Sequence, residues 1–272
     1  MSGVERIGAT FEAAREEGRS ALMPYMMGGF PDADTATAVA TAYADSGADL
    51  VELGVPFSDP LADGPVIHSA ATRALESGAT LESVLATGAT IADRVPVIAM
   101  VYANMVLSSE PAAVAGRLAD AGMAGAIVPD LPPEEAGDLR DALASAGLAL
   151  IPLVAPTTPP ARRALICAEA TGFVYVVSDT RTTGERDQLP AELDELIAAT
   201  KADSGVPVAV GFGIGTPEQA AAVGQIADGV IVGSRLVRAV AEAGDVAAAS
   251  AAVAEFISSA RAALSGSGLN VG

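Results

Sequence analysis

The chain is short of almost every residue that reactive chemistry draws on. Among its 272 residues there is one histidine, one cysteine and no tryptophan. Lys201 is the only lysine, and it stands where a helix gives way to a strand, badly placed for a Schiff base, which needs a desolvated amine in a pocket. His68 is the only histidine, so a histidine-rich zinc site cannot be built and no metal is expected. Its place among apolar residues suits packing or surface more than catalysis. Cys167 alone cannot form an intrachain disulfide, which fits a reducing, cytoplasmic setting. A Cys–His couple would require Cys167 and His68 to meet across the fold. No uncharged apolar stretch reaches the ~18 residues of a membrane-spanning helix, and the mixed-charge first residues do not read as a signal peptide. Positive charge is scarce too: 15 basic against 34 acidic residues give a net charge of −19. Such a field repels nucleic acid and anionic membrane, so neither is expected as a partner. Acid–base chemistry must rest on Asp, Glu or Tyr.

Hydrophobic residues make up 51% of the chain, ample for one large core. Short apolar runs recur at 21–28, 49–53, 95–101, 124–128, 148–153, 173–177, 206–210 and 229–232. They lack polar alternation, as strands buried on both faces of a parallel sheet do. Ala-rich amphipathic segments separate them. Eight such strands with intervening helices give the count of a (β/α)8 TIM barrel. The joints share a grammar: Gly47, Gly122 and Gly147 each stand just past a helix, where a left-handed residue turns the chain back. Asp32 and Asp34 open one helix with acidic capping residues, and Pro132–Pro133–Glu134–Glu135 reads as the first turn of another. An extra N-terminal helix over about 4–17 carries Ile7, Phe11 and Ala14 on one stripe and is expected to plug the bottom of the barrel. A last helical region from 234 to about 263 is expected to break near 243–245. The reading is one domain over 1–264 and a disordered tail over 265–272.

Three segments carry candidate chemistry. Residues 50–65 read LVELGVPFSDPLADGP: an apolar run with one carboxylate, Glu52, then a Pro- and Gly-stiffened loop presenting a second, Asp63. A buried carboxylate needs a partner or shifts its pKa, so the pair suits proton transfer. The residues alone also permit a salt-bridged structural Glu52 and a turn-forming Asp63. Position favours catalysis: Glu52, Asp63, Tyr102, Asp130, Tyr175 and Gly213 all fall at or just beyond strand C-termini, the active face of such barrels. Gly211–Phe212–Gly213–Ile214–Gly215 after the seventh strand and Gly233–Ser234 after the eighth stand where barrels often bind phosphate through backbone N–H groups, with Ser234 expected as N-cap of the final helix; tight turns are the alternative. The polar segment 178–187 reads as a mobile lid or an ordinary surface loop.

The long 52–65 motif closely resembles the signature of the tryptophan synthase alpha chain family. So do Tyr102–Ala103–Asn104, Pro129–Asp130–Leu131–Pro132, Thr183–Gly184, Gly211–Phe212–Gly213–Ile214 and Gly233–Ser234, in the family's order. The likeness runs from about Ala21 to the final helix. It implies a lyase that cleaves indole-3-glycerol phosphate to indole and glyceraldehyde 3-phosphate without a cofactor in this chain. By motif, Glu52 would protonate the substituted indole carbon and take the glycerol hydroxyl proton. Asp63 would bind the indole N–H, stabilise the charge on the ring and accept its proton. Gly184, Gly213, Gly233 and Ser234 match phosphate-binding positions. Leu22, Tyr102, Ile127, Leu153, Tyr175 and Phe212 would line the indole pocket, with Thr183 and Arg181 in the lid. The resemblance also implies a beta chain carrying pyridoxal phosphate, an alpha2-beta2 heterotetramer, and docking through Asp59, Pro60 and the region of Pro132. Two departures stand out: Arg181, where many relatives carry a small residue, and Met27, where threonine is common. Alternatives are a free-standing indole-3-glycerol-phosphate lyase, another phosphate-binding barrel such as an isomerase or prenyltransferase, and a catalytically silent regulatory subunit.

Overall fold

The structure, a computed structural model, describes residues 1–177, 191–211 and 213–266. Helix α1 (Gly3–Glu16) precedes β1 (Ala21–Met27), α2 (Ala33–Asp45), β2 (Val51–Gly54), α3 (Pro65–Glu76), α4 (Leu81–Ala89), β3 (Val97–Met100), α5 (Ala103–Leu107), α6 (Pro111–Asp120) and β4 (Gly125–Ile127). Then come α7 (Gly137–Ser145), β5 (Ala149–Ile151), β6 (Leu153–Val154), α8 (Pro160–Ala168), β7 (Val174–Val177), α9 (Ala191–Asp203), β8 (Val208–Gly211), α10 (Pro217–Gly224), β9 (Gly229–Val232), α11 (Ser234–Glu242) and α12 (Val246–Gly266). The strands are parallel, in the order β5-β4-β3-β2-β1-β9-β8-β7-β6.

The two ends of that order are one strand. β5 and β6 are separated only by Pro152, which has no N–H to give a ladder. Its carbonyl still accepts from the Tyr175 N–H at 3.0 Å. β5 continues the pairing of β4 and β6 that of β7, so the eight strands of the sequence reading close into a (β/α)8 barrel.

Side chains alternate between two apolar layers. Ala21, Met23, Leu50, Ile98, Ile127, Ile151, Phe173, Ala209 and Ile231 fill the barrel interior. Their neighbours Leu22, Val51, Leu53, Val97, Val174, Val208 and Val230 pack outward with the helices. Helix α1 plugs the lower end: Ile7, Phe11 and Ala14 join the inner layer, and Phe11 lies 5.7 Å from Phe173 between ring centroids. The three joint glycines adopt φ of 97° (Gly47), 74° (Gly122) and 74° (Gly147), the left-handed conformation their positions imply.

One helix start and one helix end differ from the sequence reading. Pro133–Glu135 forms a separate 3-10 turn, and α7 begins only at Gly137. The Pro133 carbonyl is occupied by the Ala136 N–H at 3.3 Å and the Arg140 guanidinium at 3.2 Å, which closes the turn before an α-helix can start. At the other end, α12 continues to Gly266, past the expected limit, because buried Leu264 anchors its last turn. The break before it, between Glu242 and Val246, falls where expected.

An ion cluster closes the lower face. Arg19, 2% exposed, donates to both oxygens of Asp49 at 2.6 and 2.8 Å and to Glu17 at 2.8 Å. Asp49 also accepts from the Leu22 N–H at 2.7 Å and from Arg261 of α12 at 3.1 Å. The cluster ties α1, β1, the entry to β2 and α12 together. Truncating one member of a buried pair leaves the other charge uncompensated. Arg19→Met should therefore lower the unfolding free energy by about 3 kcal/mol. Arg15→Met, in the exposed Arg15–Glu12 pair, should leave the urea midpoint unchanged.

Candidate active site

Strand β2 places its inward positions in the order Leu50, Glu52, Gly54, so a carboxylate follows an apolar side chain into the barrel. Glu52 pairs by register with Tyr25 of β1 and Ile98 of β3. It is 1% exposed, and neither carboxyl oxygen has a hydrogen-bond partner among the described residues. Desolvation opposes the charged form and pushes its pKa up to about 8. At neutral pH Glu52 is an un-ionised acid with a proton to give.

Asp63 comes from the loop between β2 and α3. It is half-buried, and burial raises its pKa, opposed by a hydrogen bond from the Tyr102 hydroxyl and by the charge of His68. Tyr102 follows β3, and its hydroxyl also accepts from the Ala62 N–H at 3.2 Å. Its ring stacks on Phe57, with centroids 5.3 Å apart. One side chain thus holds both ends of the loop that carries Asp63. Asp130, after β4, fixes the next loop by accepting from the Ala103 N–H at 2.7 Å.

Glu52 and Asp63 face one cavity of about 200 Å³, together with Tyr25, Tyr175, Leu153, Ile231, Gly213, Gly233 and Ser234. A larger hollow of about 640 Å³ adjoins it and shares Asp63, Pro129, Leu153 and Val177, but does not include Glu52. The smaller space is the candidate active site, because it holds both acids.

Two glycines shape its walls. A Cβ on Gly54 would lie 2.1 Å from the Tyr25 hydroxyl oxygen, and one on Gly211 would lie 2.4 Å from that of Tyr175. Each phenol rests on bare backbone. Gly213, with φ of 43°, adopts a conformation open chiefly to glycine. Helix α11 starts with Gly233 as N-cap, with no side-chain cap, and Ser234 one place inside, so the expected Ser234 cap is not made. The Gly233 carbonyl instead accepts from the N–H groups of Leu236 and Val237, at 2.9 and 3.1 Å.

The other sequence-derived positions divide. Leu22 does not line the cavity: it faces the helix layer, and Tyr25, on the inward parity of β1, takes the wall. Tyr102 stands behind Asp63 and holds it, outside the cavity wall. Ile127 is wholly buried in the interior and is not a wall residue. Arg181, Thr183, Gly184 and Phe212 lie outside the described residues, as does the lid segment. Asp59 is exposed beside Ser58, whose hydroxyl donates to it at 2.5 Å; Pro60 is half-buried, and Pro132 is exposed on the rim of the larger hollow. Tyr25, Met100 and Ile231 were not singled out in the sequence. For Tyr25 the signal was the two-residue alternation from Ala21 and Met23. Cys167 is buried against α9 while His68 is exposed on α3, so they form no couple.

A family model described as tryptophan synthase alpha chain matches residues 11–264. The tryptophan synthase alpha chain of Phenylobacterium zucineum is 47% identical over 248 residues, covering 89% of this chain and 88% of the relative. That of Chloroflexus aurantiacus is 47% identical over 237 residues, covering 86% and 89%. Among solved structures, tryptophan synthase from Mycobacterium tuberculosis superposes with a TM-score of 0.88 at 38% identity, covering 95% of this chain and 98% of that one. Tryptophan synthase subunit alpha from Legionella pneumophila gives 0.86 at 35% identity, covering 97% and 98%.

The buried acid makes stability depend on pH. Because its folded pKa of about 8 exceeds the ordinary 4.5, Glu52 favours the folded state most below pH 4.5, and that contribution is lost as pH rises towards 8. Within this window the parent should lose about 1.4 kcal/mol per pH unit relative to Glu52→Gln. Urea unfolding of both proteins between pH 5 and 8 checks this; parallel pH profiles would mean that Glu52 is ionised in the fold.

Proposed function

The chain belongs to the tryptophan synthase alpha chain family, and on that premise we propose that it cleaves indole-3-glycerol phosphate by a retro-aldol reaction, with Glu52 and Asp63 as its catalytic acids. The observation that carries the reading is Glu52: a neutral, unpartnered acid inside an apolar barrel, facing the same cavity as Asp63. Glu52 gives its proton to the indole carbon that bears the side chain, leaving a cationic ring. Asp63 accepts the hydrogen bond of the indole N–H and stabilises that charge. Glu52, now a carboxylate, takes the proton of the adjacent glycerol hydroxyl. The carbon–carbon bond breaks, its electrons return to the ring, and glyceraldehyde 3-phosphate leaves as the aldehyde. Glu52 ends protonated, ready for the next cycle. Burial matches its pKa to this double role.

Gly233 and Ser234, at the start of α11, bind the phosphate through backbone N–H groups, joined by Gly213 after β8 and by Gly184. Leu153, Tyr175 and Phe212 contact the indole, with Thr183 and Arg181 in the covering segment. The cleavage uses no metal or organic cofactor. Pyridoxal phosphate belongs to a beta chain that receives the indole in an alpha2-beta2 assembly; Lys201 here is paired with Asp228 at 2.7 Å, away from the cavity. Asp59, Pro60 and Pro132 form part of the docking face. The setting is the cytoplasm, in keeping with a single buried cysteine and no described helix long and apolar enough to cross a membrane.

Indole release from indole-3-glycerol phosphate, measured with and without the cognate beta chain, tests the reading. Slow release alone with strong stimulation is expected. Fast, unstimulated release would make the chain a free-standing lyase, and no release in either case would leave only a regulatory role. Glu52→Gln and Asp63→Asn should each reduce turnover by roughly 10²–10⁴-fold while keeping beta-chain binding.

A further inference from the structure

Three phenols surround the acids, and they are not equivalent. The Tyr102 hydroxyl is committed to Asp63 and the Ala62 N–H. Tyr175 stands on β7, where its hydroxyl rests against Gly211. Tyr25 stands on β1, between β2, which carries Glu52, and β9, which leads into Gly233 and Ser234. Its Cβ lies 3.7 Å from the position a Cβ on Gly233 would take, while its hydroxyl reaches the other way, onto Gly54. The ring therefore spans the wall from the phosphate-binding side to the acid side.

The side chain is 6% exposed, its hydroxyl has no hydrogen-bond partner among the described residues, and Asp63 and Glu52 are the acids that bear on it most. Burial and those two acids hold its pKa well above the ordinary phenol value, so the group remains a proton-bearing donor at working pH. From behind, the Tyr43 hydroxyl donates to the Tyr25 carbonyl at 3.1 Å and steadies the strand. Among the described residues only the Glu52 oxygens are fully buried without a partner; Tyr25 lines the cavity, where a ligand can meet its hydroxyl.

We propose that Tyr25 is a substrate-positioning residue whose hydroxyl hydrogen-bonds the hydroxyl-bearing chain between the indole and the phosphate, turning the reacting hydroxyl towards Glu52. This rests on the lyase reading above. A substrate whose ring lies by Asp63 and whose phosphate lies at Gly233 must lay its polyol chain along this wall. Gly54 is the condition for it: any side chain there would occupy the place of the Tyr25 hydroxyl.

Tyr25→Phe tests the proposal, because it keeps the ring on Gly54 and removes only the oxygen. Two probes are used, in the presence of the cognate beta chain: indole-3-glycerol phosphate, and 3-(indol-3-yl)propyl phosphate, which has the ring and the phosphate but neither chain hydroxyl. The variant should lose roughly fivefold in kcat/KM for cleavage, the effect of one neutral hydrogen bond. Its Kd for the propyl analogue and its melting temperature should match the parent's. Unchanged cleavage, or an equal loss of analogue affinity, would overturn the role for the hydroxyl while the parent's activity keeps the lyase reading intact. A parent that releases no indole would overturn both.

Discussion

Strict alternation of side chains along a closed ring of parallel strands is the constraint from which the rest of this molecule follows. Each strand residue belongs to the interior or to the layer under the helices, and a shift of one place exchanges them. The interior is filled from below by α1 and by Met23, Leu50, Ile98, Ile127 and Phe173, and it opens only near the strand C-termini. The cavity exists because Gly54 and Gly211 occupy inward positions there and two tyrosines lean across them.

Asp49 and Glu52 show how the same strand entry serves two ends. They are three residues apart, yet one lies at the lower face and the other faces the cavity. Asp49 meets Arg19, Arg261 and the Leu22 N–H, and its charge is fully answered. Glu52 meets no donor among the described residues, and burial favours its neutral form. At the bottom the charges are locked into one hydrogen-bonded network. The unsatisfied acid lies at the top, where the proposed reaction moves a proton. Tyr102 belongs to a third class: it reacts with nothing in the proposed cycle but keeps Asp63 and its loop in register with the ring of strands.

Much of this was legible beforehand. The apolar runs, the joint glycines and the stripe on α1 are local signals, since each reflects a backbone conformation or a periodicity within a few residues. Glu52 and Asp63 were legible because a long, specific motif surrounds them and both fall where strands end. Leu22 was misplaced because its inward or outward parity depends on register with β2 and β9, which a strand-length apolar run does not reveal. The 3-10 turn at Pro133–Glu135 and the Gly233 cap depended on which carbonyls were already occupied, and at Pro133 one of the donors was the side chain of Arg140, five places beyond the turn.

The sequence by itself determined the class of fold and the family, and it singled out the two acids as candidates, because these rest on residue types and spacings along the chain. Only the tertiary structure decided that Glu52 is buried without a partner among the described residues, that Tyr102 holds Asp63 instead of lining the cavity, and that Tyr25 spans the wall between Gly54 and Gly233. Those outcomes depend on closure of the ring through Pro152 and on the register of β1 against β2 and β9. Register joins residues far apart in the chain, and burial, which sets the charge of a carboxyl, exists only once they have met.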